Sequence, residues 1–84
     1  MTTQTPAPRP LSAIAADIRA DWKNIYFGAV PYVEAMSELN AITDTFATES
    51  AEDIVRRFLV NASRWRGDKA REIKAELKTM VGIK

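Results

Sequence analysis

The sequence predicts an all-α fold: a compact bundle of four short helices with a C-terminal helical hairpin and a disordered N-terminal tail. Apolar residues recur at three- and four-residue spacing in four separate windows. Turn-forming residues, among them Gly28, Pro31 and Gly67, separate these windows. No strand pattern and no internal repeat interrupts them. The 84 residues then divide into a tail over 1–10 and a single helical domain over 11–84.

The tail, "MTTQTPAPRP", holds three of the four prolines and no large apolar residue after Met1. A chain of that composition cannot bury enough surface to offset its ordering entropy. Pro6, Pro8 and Pro10 are spaced by two, so the P-x-x-P register of an SH3 ligand is missing. The stretch also lacks the apolar centre of a secretory signal.

The first helix is expected from about residue 12 to about 25, with Leu11, Ile14, Ala15, Ile18, Trp22 and Ile25 on one stripe and Ser12 as its N-cap. The second opens at Pro31, whose missing N–H costs nothing in a first turn, and ends near Asn40 or Ile42. Its inner face is Tyr32, Ala35, Met36 and Leu39, with Glu34 and Glu38 outside. The polar stretch "TDTFATES" follows, with Phe46 expected to plug into the core. Ser50 and Asp53 come close to a capping box and start the third helix. Its broad stripe is Ala51, Ile54, Val55, Phe58, Leu59, Ala62 and Trp65, and Glu52–Arg56 and Asp53–Arg57 are expected as outward ion pairs. After Gly67, Asp68 is expected to cap a fourth helix that buries Ala70, Ile73, Leu77, Met80 and Val81. Arg66-Gly67-Asp68, which would be an adhesion signal in an exposed extracellular loop, reads here as a helix boundary.

Composition narrows the chemistry. With neither His nor Cys in the chain, the commonest neutral-pH base, the commonest metal ligand and every thiol reaction are missing. The carboxylate pairs Asp17/Asp21 and Glu34/Glu38 read as solvated helix faces. The chain is therefore expected not to be an enzyme and to use no metal or cofactor. The formal net charge of +1 conceals a division: residues 1–53 carry −5 and residues 54–84 carry +6. The two halves should attract each other, and the basic surplus can steer an acidic partner.

Two constellations stand out as candidate protein-binding features. Trp22, Tyr26, Phe27 and Tyr32 crowd around Gly28, and Tyr26 and Phe27 are the candidates for contact with a partner. On the third helix Val60 lies opposite the apolar stripe, ringed by Arg56, Arg57 and Arg64. Arg66, with no role in the helix boundary, joins this set. The alternative is a nucleic-acid-binding module of helix-turn-helix type. It rests on the last two helices and their turn, with Arg71, Lys74 and Lys78 as its cationic edge. The acidic edge Asp68, Glu72 and Glu76 and the modest pI weigh against it.

The words "DWKNIYFGAVPYVEAM" and "SAEDIVRRFLVNASRWRGDKAREIKAELK" resemble short proteins of unknown function encoded by bacteriophages and by integrative or conjugative elements of Gram-positive bacteria, including actinobacteria. The resemblance covers roughly residues 11–80 and is carried by Trp22 to Tyr32, Phe58 to Gly67 and Ala70 to Leu77. It implies a genomic setting and no mechanism. In that setting the expected function is a small accessory protein in the cytoplasm of a bacterial host, binding a host or phage protein or a second copy of itself.

Overall fold

The computed structural model describes residues 9–82, so the expected tail lies, for residues 1–8, outside the described residues. Four helices are present: α1 (Leu11–Asp21), α2 (Val30–Met36), α3 (Ala51–Val60) and α4 (Asp68–Met80). Two short strands, β1 (Thr45–Phe46) and β2 (Glu49–Ser50), lie between α2 and α3. The fold is thus mostly helical but not all-α. The strands pair antiparallel, Thr45 with Ser50 and Phe46 with Glu49. Ala47, in the left-handed region at φ 56°, opens the two-residue turn between them.

The helices close a ring in which α1 packs on α2 and α4, and α3 packs on the same two. Its centre holds Leu11, Ile14, Ile18, Val33, Met36, Ile54, Val55, Phe58, Ile73 and Leu77, all fully buried. Phe58 meets the rings of Trp22 and Trp65 edge-on at 6.4 and 6.3 Å. These two indoles lie parallel, with centroids 5.6 Å apart. Phe46, by contrast, is 40% exposed and does not plug the core.

Several helix ends differ from expectation, each for a visible reason. Ser12 does not cap α1, because the free N–H groups of Leu11 and Ser12 donate to the carbonyls of Asn40 and Leu39, both at 2.9 Å. The helix stops at Asp21, four residues early, where Trp22 leaves helical geometry and stacks on Trp65. α2 ends at Met36 instead of near Asn40. α3 does begin as expected, with Ser50 Oγ accepting from the N–H of Asp53 at 3.1 Å. It ends at Val60, because Asn61 folds its side-chain amide back onto the carbonyl of Arg57 at 2.8 Å. Ala62 and Trp65 therefore reach the core from an irregular corner over 61–67. Gly67, at φ 111°, precedes α4, and Asp68 is its first residue instead of its cap.

The outward pairs within α3 are not formed either. Arg56 donates to the carbonyl of Val81 at the end of α4 (3.1 Å), and Arg57 pairs with Glu49 at 3.4 Å. Attraction between the acidic and basic halves is visible in Arg57–Glu49 and in Arg9. Arg9 grips both oxygens of Glu76 on α4, at 2.9 and 3.1 Å, and Asp17 on α1 at 2.5 Å. These bonds raise its already high pKa further, Glu76 contributing most. Arg9 and Pro10, placed in the tail by composition, thus belong to the domain.

Candidate functional site

The candidate surface is built where the corner between α1 and α2 meets the end of α3. Gly28 sits against Asn61 so closely that a Cβ on Gly28 would fall 2.9 Å from Asn61 Oδ1 and 2.6 Å from Tyr26 Cε2. This contact seats one residue on each side of it in solvent. Phe27 precedes Gly28 and is 79% exposed, and Val60 precedes Asn61 and is 78% exposed. They are the two most exposed large apolar side chains among the described residues.

Tyr26 is half-buried behind them, its ring tilted against that of Phe27 at 4.9 Å. Arg64 lies over the other partner of this pair, its guanidinium carbon 4.7 Å from the Tyr26 centroid. No carboxylate pairs with Arg64 among the described residues. A guanidinium stacked on a phenol ring keeps its N–H edge free, and that edge matches a carboxylate or phosphate in two-point geometry. The aromatic corner and the end of α3, separate in the sequence, thus meet through the Gly28–Asn61 and Tyr26–Arg64 contacts.

Two members of the expected arginine ring are drawn elsewhere. Arg56 is held by the α4 carboxyl end and Arg57 by Glu49, as described above. Arg56 keeps its charge uncompensated, since its partner is a carbonyl. Arg64 does not lie on the helical wheel with Val60, because α3 has already ended; it approaches through the stack on Tyr26. Arg66 is exposed and without an ion-pair partner among the described residues.

The alternative cationic edge is partly committed to the fold. Arg71 pairs with Asp68 one turn back. Lys74 is half-buried and donates to the Trp65 carbonyl at 2.6 Å. Its pKa is lowered by desolvation first, then by the positive charges of Lys78 and Arg66. Lys78 alone of the three is both exposed and unpaired among the described residues. The corner over 61–67 is also longer than the three- or four-residue turn of a helix-turn-helix.

The structure also holds a concavity with no signal in the sequence. A cleft of about 490 Å³ lies between Arg9, Pro10, Ile42 and Met80. The backbone beside it is already satisfied, since Asp44 accepts from the N–H groups of Asn40 and Ala41 at 3.0 Å each. Those two bonds, Ala41's first, hold the exposed Asp44 carboxyl below the usual carboxylate range. No group of three or more metal-ligating side chains is present among the described residues. No helix there is long and apolar enough to cross a membrane.

Comparison with family models, with curated proteins and with solved structures yields no match.

Proposed function

We propose that the chain is a non-enzymatic accessory protein of a phage or mobile element that acts by binding a host or phage protein through Phe27, Val60, Tyr26 and Arg64. The observation that carries this reading is the pair of exposed apolar side chains flanking the Gly28–Asn61 contact, with a stacked, unpaired arginine beside them. Apolar anchors next to an arginine are the composition of interface centres, whereas isolated exposed side chains need no explanation. The genomic setting rests on the resemblance of the Trp22–Tyr32 and Phe58–Gly67 words.

The test is affinity capture from a Gram-positive lysate, with and without nuclease. A nuclease-resistant protein partner retained by the native chain and lost in the Val60→Glu/Arg64→Glu variant, at unchanged helical circular dichroism, is the expected result. Equal capture by the variant removes this surface from consideration.

Nucleic-acid binding is the second reading, favoured by one observation. Lys74, whose pKa is lowered by desolvation first and then by the charges of Lys78 and Arg66, has these two cations as neighbours, and no carboxylate pairs with any of the three among the described residues. It requires duplex affinity that falls steeply with salt, with a slope flattened by Lys78→Ala.

A further inference from the structure

We infer that the segment received by the Phe27–Val60 surface is an acidic amphipathic helix, whose apolar face covers these two side chains and whose carboxylates meet Arg64. This deepens the proposed protein-binding function and rests on it.

The argument is one of charge and shape. An apolar patch by itself does not choose its occupant, but the groups around this one do. Arg64, held over the Tyr26 ring at 4.7 Å, presents its N–H edge without an ion-pair partner among the described residues, and the same ring packs against Phe27 at 4.9 Å. Arg56, one turn back from Val60 on α3, has only a carbonyl partner and so keeps its positive field. The carboxylate of Asp21 is turned toward the buried side, where it accepts from the Trp65 indole N–H at 2.8 Å and keeps its charge. Arg57 is paired with Glu49 at 3.4 Å. An incoming segment therefore meets an apolar spot with the unpaired Arg64 guanidinium at its edge.

Two further features favour a helix over an extended strand. The one hairpin among the described residues lies at the other end of α3, so the spot has no strand beside it to extend. A helix needs only side-chain contacts, and its leucines at three- and four-residue spacing place two apolar groups on adjacent anchors. A basic helix or a second copy's basic half would be repelled at the same place.

The experiment uses two synthetic amidated peptides of about eighteen residues with identical leucine stripes, one carrying Glu on the polar face and the other Lys. Each is titrated into the full chain while backbone amide and side-chain methyl shifts are followed by NMR. The expected result is saturable shifts at Phe27, Val60 and Arg64 with the Glu peptide only. Arg64→Glu should weaken its binding about tenfold or more, and Val60→Ser by a similar factor, with the other amides unmoved. Arg64→Glu should also bring the Lys peptide to the same surface.

Equal binding of both peptides, or shifts centred elsewhere, would overturn the acidic assignment while leaving the surface a docking site. Concentration-dependent shifts at Phe27 and Val60 in the absence of peptide would replace the acidic helix by a second copy. No response to either peptide would also overturn the assignment. Lysate capture by the Val60→Glu/Arg64→Glu variant reports separately on whether the surface binds protein at all.

Discussion

The corner that joins α1 to α2 and the corner that joins α3 to α4 meet twice, and the two meetings are opposites. On the inner side, Trp22 from one corner stacks on Trp65 from the other, and each polar atom of Trp65 has a partner: Asp21 takes the indole N–H, and Lys74 donates to the carbonyl. On the outer side stand Tyr26 and Phe27 from the first corner, Arg64 from the second and Val60 at the end of α3, yet two apolar groups stay in water and a guanidinium lacks an acid. The inner meeting spends its interactions on the fold. The outer one leaves them unsatisfied, and unsatisfied surface is what a partner can complete. Stability and binding should therefore separate cleanly between substitutions only a few residues apart.

The largest effect is expected on the inner side. Trp65→Ala removes an indole that is 3% exposed, along with its stack on Trp22 and its edge contact with Phe58. A loss of about 3–5 kcal/mol is expected from truncating a buried aromatic side chain. In a domain this small that is a large part of the total stability. Urea denaturation followed by circular dichroism checks it, and a midpoint within experimental scatter of the native chain would contradict the inner packing.

Gly28→Ala attacks the hinge between the two sides. The new methyl would lie 2.6 Å from the Tyr26 ring and 2.9 Å from Asn61 Oδ1, so both must move. Overpacking of this kind costs about 1–3 kcal/mol. Unlike Trp65→Ala, it should also shift the resonances of Phe27 and Val60, because their shared contact is displaced. A stable variant with unmoved signals at both residues would show that the Gly28–Asn61 contact does not set the outer surface.

The same comparison shows how far the sequence was legible. Four helices and most of their buried faces follow from apolar periodicity, because packing against a core needs that spacing. The end of α3 was hidden, since Phe58, Ala62 and Trp65 keep helical spacing although the chain has left the helix at Asn61. An irregular corner can point side chains inward at the same interval. The hairpin left no signal, being two residues per strand with Ala47 at a turn position where Asn or Gly is usual. Arg9 was assigned to the tail by its neighbours, whereas its partner Glu76 is 67 residues away. For the candidate surface, the individual residues were visible as an aromatic cluster and an exposed valine. Their union was not, because it depends on Gly28 meeting Asn61, a contact between distant residues that neither local pattern encodes.

A smaller effect tests whether the polar seal of the inner side matters. Lys74→Met keeps the apolar stem along the helix but removes the donor to the Trp65 carbonyl. About 1 kcal/mol should be lost, the net worth of one hydrogen bond at a half-buried site. Lys74→Arg, which can still donate, should recover part of it. Thermal melts of the three chains make the comparison, and a methionine variant as stable as the native chain would mean that water replaces the ammonium at no cost.

The smallest stability effect is expected on the outer side. Phe27→Ser and Val60→Ser change side chains that are about four-fifths exposed, so folding removes little of their surface from water. Each should alter stability by no more than about 0.5 kcal/mol. Val60 is the last residue of α3, where the C-terminal hydrogen bonds are made by Asn61 and remain intact. The same two substitutions should have the greatest effect on capture of a partner, because in a complex these groups become the buried centre. The ranking of the five sites by stability is then inverted at its lower end when they are ranked by binding. If Val60→Ser instead lowered the melting temperature as much as Gly28→Ala, Val60 would be contributing to the domain's own packing. The division between an inner side that folds and an outer side that binds would then have to be abandoned.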